Sequence, residues 1–465
     1  MSDRRLARWA STSARVVAGS AVAVAVVVGT VAGIAAPWPS RVAEPVRLQV
    51  TPAPSDTVLA CDGPVFALGR TAESAGALSV AATQDTISGP DSAEAETSRL
   101  SGATTDGSGD AAVFRASPRD RTVTAYAAAG SSTVASSDLI GFSASACRPP
   151  LAESWLVGGA STTGANDLVV LGNPGDVAAT VQLTAYGAQG VTAPPSGKDI
   201  VVPAGTQRVI PLAGLVLGEE SPVVRVVATG APVRASLQTS LTRVLLPGGS
   251  DQVAPLAQAS TSLVLPGIQV LSAGAGDAAT VLRLLSPGEN ASATVTVSPV
   301  GGQGAAEDPR TLDLPAGTPT SLDLSGLAPG AYTVTVSATQ PIVGAAWSTT
   351  GFGEGADFAW YTPAPVFPAS GLLAVAPGAG GSLVVAADAG DAPVSVTLTP
   401  QAGGDPVTVS VPPGGSVAVP VGAGIYELAP DAPVRAAVSY SAPGALAGYP
   451  LWPADAAAGA LTILP

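Results

Sequence analysis

Leu168-Val-Val-Leu-Gly-Asn173-Pro174-Gly175-Asp176, followed two residues later by Ala179-Thr-Val-Gln-Leu-Thr184, sets the reading of this chain. An aliphatic run stops at Asn-Pro-Gly and restarts as strict alternation of apolar and polar residues, the period-two pattern of a half-buried strand. The pattern returns as Val281-Leu-Arg-Leu-Leu-Ser286-Pro287-Gly288-Glu289 with Ala293-Thr-Val-Thr-Val-Ser298. It returns again as Leu383-Val-Val-Ala-Ala-Asp388-Ala389-Gly390-Asp391 with Val394-Ser-Val-Thr-Leu-Thr399. Each copy reads as strand, tight turn, strand: a β-hairpin with one face inward. The copies lie about 114 and then about 102 residues apart, the length of one sandwich domain.

The rest of each copy keeps the same order. Val202-Pro-Ala-Gly205, Leu314-Pro-Ala-Gly317 and Val411-Pro-Pro-Gly414 each precede a strand, at Gln207–Leu212, Thr320–Leu324 and Ser416–Val421. Pro presets φ in such a turn and Gly accepts positive φ. Three strand pairs follow: Val223–Ala228 with Val233–Leu237, Tyr332–Ala338 with Ile342–Trp347, and Tyr426–Leu428 with Val434–Tyr440. Six or seven short strands per copy predict tandem antiparallel, Ig-like β-sandwiches over residues 153–260, 261–368 and 369–465. The alternative is a single closed or propeller-like β array.

Ahead of the repeats, residues 58–152 form a first β unit bracketed by Cys61 and Cys147, with strands expected at Val65–Leu68, Val113–Arg115, Thr122–Tyr126 and Leu139–Ser143. Gln84–Asp110 has almost no large apolar residue and reads as a long loop. Residues 37–57 hold five prolines and read as a stalk, within which Val46–Val50 alternates like a strand. Val16–Ala36 carries no charge, and Arg4, Arg5, Arg8 and Arg15 stand before it. About 20 apolar residues span a bilayer core, and the basic tail, residues 1–15, stays cytoplasmic, so the bulk of the chain is expected outside the cell membrane. The run is longer than a signal peptide's apolar segment and Pro37 follows it directly, so a retained single-pass anchor is expected in place of a cleaved signal.

Composition narrows the chemistry. Of 465 residues, 54 are Gly and 43 Pro, which suits many short strands joined by turns and excludes long helical bundles. Beyond the first 15 residues, 16 basic residues face 33 acidic ones, a net charge of −17. That sign repels nucleic acid and anionic headgroups. Two cysteines in an exported chain predict a disulfide, closing a loop of about 87 residues worth roughly 4 kcal/mol.

Trp155-Leu-Val-Gly-Gly159, running into Leu168–Asp176 and then Val202-Pro-Ala-Gly205, resembles an actinobacterial family of membrane-anchored extracytoplasmic proteins of unknown function. The resemblance covers nearly the whole length and rests on structural turns. It implies an envelope setting, since such genes stand beside those of envelope glycosyltransferases, and it carries no catalytic residues.

The chain has no His, which removes Ser-His-Asp and Cys-His catalysis and His-ligated metals. The single lysine, Lys198, sits in a turn-like Ser196-Gly-Lys198-Asp199 and reads as a solvated loop residue. Glu219, Glu220, Glu354 and Asp357 are carboxylates in Gly- or Ser-rich contexts with no apolar pocket evident to raise a pKa. Asp106-Gly-Ser108-Gly-Asp110 has the opening spacing of a Ca²⁺ loop, but Ala111 and Ser117 occupy its Gly and Glu places. No catalytic, cofactor or metal residue is therefore assigned. The scarce aromatics Trp360, Tyr361, Tyr449 and Trp452 are the candidate glycan or partner contacts; closing the sandwich cores is the competing role. The expectation is a non-enzymatic envelope scaffold or protein-binding module, with membrane proteins such as a glycosyltransferase as partners. A glycan-binding accessory of wall polysaccharide assembly is the alternative.

Overall fold

The computed structural model describes residues 3–35, 48–50, 54–69, 77–90, 92–104, 107–120, 122–271, 279–302, 304–305, 307–453 and 461–463. The chain forms two compact units, Met1–Pro52 with Ala460–Pro465, and Ala53–Gly459. In the first, helix α1 (Asp3–Ala35) contains an apolar segment, Ser13–Ala35, long enough to cross a membrane and exposed along its length. The helix runs unbroken because no proline occurs before Pro37. Leu48–Val50 pairs antiparallel with Leu461–Ile463 in the same unit.

The second unit is all β. In the first repeat one sheet runs Glu153–Val157, Val223–Thr229, Ala179–Gly187, with Gly190–Thr192 and Ile200–Val202 both paired to the last of these. The other runs Thr206–Pro211, Leu168–Asn173, Arg234–Arg243, Leu246–Val253. The third repeat has the same order, Gly371–Val375, Gly424–Pro430, Val394–Pro400, Val407–Val411, facing Ser416–Pro420, Gly381–Ala387, Val434–Ala442, Ala445–Pro450. In the second repeat a 20-residue strand, Gly330–Thr349, serves both sheets: its first half pairs with Ser260–Val270 and Ala291–Pro299, its second with Thr280–Leu285 and Phe358–Tyr361.

This pairing corrects the hairpins expected at the repeated turns. Leu168–Asn173 and Ala179–Gly187 lie in different sheets, as do Gly381–Ala387 and Val394–Pro400, while Thr280–Leu285 and Ala291–Pro299 pair with opposite halves of Gly330–Thr349 and not with each other. The strand pairs flanking Gly230-Ala-Pro232 and Asp431-Ala-Pro433 also divide between sheets. Each turn is an arch over the core, so both strands turn apolar side chains toward each other without sharing hydrogen bonds. Hairpins form instead between other consecutive strands, such as Arg234–Arg243 with Leu246–Val253 and Val394–Pro400 with Val407–Val411.

The arches are tied together. Asn173, fully buried, donates from Nδ2 to the carbonyls of Val177 (2.8 Å) and Val202 (2.9 Å) and accepts from the Gly175 N–H (3.0 Å). Its own carbonyl accepts from the Gly205 N–H at 3.0 Å. The same bond recurs from Gly317 to Ser286 (2.8 Å) and from Gly414 to Asp388 (3.1 Å). All three glycines have φ between 66 and 74°, which a β-carbon disfavours. The two sequence motifs repeat together because they touch.

The β unit ahead of the repeats, hereafter the first unit of the β body, is a shorter version of the same plan: Thr57–Ala60, Ala111–Ala116 and Glu96–Leu100 form one sheet, and Asp85–Gly89, Ala127–Ala135 and Ile140–Ala146 another. A hairpin of Val65–Leu68 and Leu78–Ala82 is added. Gln84–Asp110 thus contains two strands where a loop was expected. Ile87 and Leu100 supply the apolar contacts, and small residues let the strands lie close. Thr122–Tyr126, expected as a strand, is irregular, and the strand begins at Ala127. Cys61 and Cys147 are bonded, joining the two sheets. Fully buried Asp62 pairs with Arg148 (3.2 Å) and with Arg234, which crosses to the first repeat.

The sandwiches also close on one another. The last strands of the four units, Ile140–Ala146, Leu246–Val253, Phe358–Tyr361 and Ala445–Pro450, pack in a ring, each touching the next. Asp357 stands inside the ring. Its Oδ2 accepts the N–H groups of Phe142 and Leu446, both at 3.0 Å, and its Oδ1 accepts that of Ser250 at 3.4 Å. A β-carbon on Gly141 or Gly249 would lie 2.9 or 2.6 Å from Asp357 Oδ1, so only glycine admits the carboxyl there. The apolar interior follows the ring: the cores of the first and second repeats are continuous, and Phe142 of the first unit packs into the core of the third.

Burial pushes the Asp357 carboxyl up to about 7, against the pull of its backbone donors. Between its ordinary value near 3.8 and about 7 the folded chain holds the proton that the unfolded chain has lost, so stability falls as pH rises through that window. Thermal melts are expected to give a Tm several degrees higher at pH 5 than at pH 8, and Asp357→Asn is expected to flatten the slope. Asp357→Ala strands three buried N–H groups and is expected to cost about 3 kcal/mol or more. Asn173→Ala is expected to cost about 2–3 kcal/mol, with Asn173→Ser and Asn173→Asp, the residues at the matching places 286 and 388, recovering part of the loss in denaturant titration.

Candidate interface cavity between the first and second repeats

Register decides which side chains meet here. Trp347 pairs with Trp360, Val281 with Trp347, and Arg283 with Ser321. Directly opposed residues share a face, and residues two apart share it too. One face of the second repeat's sheet therefore carries Arg283, Trp347, Phe358 and Trp360. It lies against three segments of the first repeat: Gly159–Asp167, Glu220–Ser221 and Thr239–Arg243. Between them is a cavity of about 300 Å³.

Arg283 holds the seam. Its Nη1 donates to the carbonyls of Gly159 (2.9 Å) and Pro222 (3.0 Å), and its Nη2 to that of Glu220 (3.0 Å). The guanidinium lies over the Trp360 ring, 4.8 Å from its centroid. Burial lowers its pKa to about 10, with Asp167 and Glu219 opposing the drop, so it stays charged at neutral pH. Asp167, equally buried, accepts from Ala160 N–H (2.6 Å) and Ser240 N–H (2.9 Å). Burial raises its pKa to about 7, although those two N–H groups and Arg283 pull the other way. Asp251, behind Trp360, accepts that residue's N–H at 2.7 Å, and burial raises it well above the usual carboxylate range.

The four candidate aromatics are not brought together. Trp360 lines the cavity but is only 6% exposed, one face covered by Arg283. Tyr361, its neighbour on an alternating strand, leaves by the opposite face and is buried against Gly448. Tyr449 is a core residue whose hydroxyl donates to the Ala374 carbonyl (3.0 Å) and accepts from the Ala376 N–H (3.0 Å). Trp452 lines a separate cavity of about 330 Å³ between the first unit and the third repeat, and its buried Nε1 has no partner.

Of the carboxylates weighed from sequence, Asp357 is enclosed within the ring, where burial raises its pKa, contrary to the Gly-rich context without an apolar pocket that was expected. Glu219 accepts the Ala188 N–H at 2.8 Å, and Glu220 is exposed at the cavity. Lys198 is exposed. Asp106 lies outside the described residues, and among the described residues no three acidic or cysteine ligands gather. Sequence reasoning missed Asp167, Arg283 and Trp347. Arg283 had a signal, a lone charge inside Val281-Leu-Arg-Leu-Leu.

Tandem sandwiches closed into a ring define an all-β body over Ala53–Gly459, and no curated protein matches this chain in sequence. It belongs to DUF5719, a family of unknown function, which matches residues 102–422.

Arg283→Ala removes three hydrogen bonds across the seam and leaves the carbonyls of Gly159, Pro222 and Glu220 without that donor, and is expected to cost about 3 kcal/mol or more. Glu220→Gln, at an exposed position, is expected to leave Tm within a degree. Calorimetry on both variants checks the contrast.

Proposed function

We propose that the protein is a non-enzymatic, membrane-anchored scaffold of the bacterial cell envelope. Its extracytoplasmic β body docks an envelope membrane protein. The observation that supports this reading best is the use made of the buried polar groups. Asp357, Asp251 and Arg283 are spent on backbone groups of neighbouring units, which makes a rigid body. Docking then falls to the outer edges. Val407–Val411 pairs on one side only and exposes Val407, and Ile200–Val202 exposes Val201. An incoming strand can extend such an edge.

The anchor reading of Val16–Ala36, the export of the remainder and the actinobacterial envelope belong to this proposal, with a glycosyltransferase as the expected partner. A glycan-binding accessory role is the second reading, supported by the cavity in which Trp347 and Trp360 meet Asp167.

Crosslinking of the tagged full-length chain in native membranes, followed by mass spectrometry, tests the proposal. A membrane protein is expected at near-equal yield with the bait, reduced at least fivefold by Val407→Lys. Wall polymer without a protein partner would move the assignment to the second reading, and recovery of neither would overturn the scaffold.

A further inference from the structure

We propose that the cavity between the first and second repeats binds one neutral pyranose ring. Its C–H face rests on Trp347, and its hydroxyls donate to the carboxyl groups of Asp167 and Glu220. The inference deepens the glycan-binding reading and rests on it.

Size comes first. About 300 Å³ is at the small end of ligand pockets and suits one ring or two, not a large cofactor. Charge then narrows the class. An anion meets Asp167 and Glu220, and Arg283, whose Nη groups already donate to three carbonyls, has only its buried Nε left to offer. A cation meets Arg283 and the rim residue Arg243, which lies over the Phe352 ring, and the Trp360 face that could attract it already carries a guanidinium. A purely apolar ligand would strip water from the exposed Glu220 carboxylate and return no hydrogen bond. A neutral ligand with hydroxyls on its rim and an apolar face avoids all three penalties.

The stacking surface follows from exposure. Trp360 is covered, whereas Trp347 is only half-buried and lines the same cavity. The Trp347 and Phe358 rings, 6.1 Å apart and tilted by 41°, form an apolar wall. Each Asp167 oxygen accepts one N–H and keeps a second lone pair for a hydroxyl. Asp167 is held by backbone groups of Ala160 and Ser240, so its position is set before a ligand arrives, which lowers the ordering cost of binding.

The full-length chain in nanodiscs should be titrated with methyl glycosides of glucose, mannose and galactose, with glucuronate and with choline, followed by saturation-transfer NMR and tryptophan fluorescence. At least one neutral glycoside is expected to bind saturably in the millimolar range, with glucuronate and choline at least tenfold weaker. Trp347→Ala and Glu220→Gln should each weaken it at least fivefold; Glu220 meets the seam only through its backbone carbonyl, which the substitution keeps, so its Tm should be unchanged, and Trp347→Phe, which keeps an aromatic face, should recover part of the loss seen in Trp347→Ala. No binding by any neutral glycoside or wall polysaccharide overturns both this inference and the glycan reading. Wall polysaccharide retained equally by wild type and Trp347→Ala overturns this cavity alone. Retention of polymer but not of methyl glycosides, lost in Trp347→Ala, supports the cavity and identifies a longer chain as the source of the ring.

Discussion

Asp357 receives N–H groups from the closing strands of three units while belonging to the fourth. Each closing strand pairs with its own sheet on one side only, which leaves backbone donors on its other edge without strand partners, and buried orphan donors are costly. Four such strands meeting around one point would strand several at once. A single carboxyl, with two oxygens and several lone pairs, satisfies them together. Gly141 and Gly249 supply the room. Replacing any one of these residues affects all four units, because the donors come from different parts of the chain. The closed body depends on this arrangement more than on any single sandwich core.

The seams between units follow the same logic with different groups. Gln238 makes a two-way bond with the backbone of Phe66, 2.7 Å in each direction, and Gln252 donates to the Gly63 carbonyl at 2.9 Å. Asp62 sits between Arg148 and Arg234. In each case a side chain of one unit completes the backbone or charge of another. With so few charged residues, this chain places several of them, uncommonly, in its interior. Burying ion pairs contributes little net stability, and their value lies in fixing which surfaces meet.

The strand positions were legible because alternation and Pro-Gly turns are local signals. Val65–Leu68 is a strand at the positions the sequence indicates, and the repeats share one sheet order. Pairing was not legible. A turn such as Asn173-Pro-Gly looks the same whether it reverses the chain within a sheet or carries it over the core, since both need a tight bend and an inward face. The difference lies in Asn173 reaching the Val202 carbonyl, 29 residues away. Asp85–Gly89 and Glu96–Leu100 were hidden for another reason: strands built of small and polar residues lack periodic bulk, and their stability comes from Ala127–Ala135 and Ala111–Ala116 across the sheet.

The cavity was partly legible through Trp360, although that residue serves it as a wall more than as a platform. Alternation already separates Trp360 from Tyr361, so the two were never able to form one surface. Finding Trp347 requires the register of the second repeat, and finding Asp167 requires the neighbouring repeat to be docked. Sites at seams escape sequence reading for that reason: their residues are ordinary on each side, and only the closure makes them neighbours. The same closure fixes the groups that line it: Arg283 and Asp167 are each held by at least two backbone groups of the first repeat. A wall with acceptors fixed in this way would select a ligand by its shape, which is what the proposed glycan reading requires.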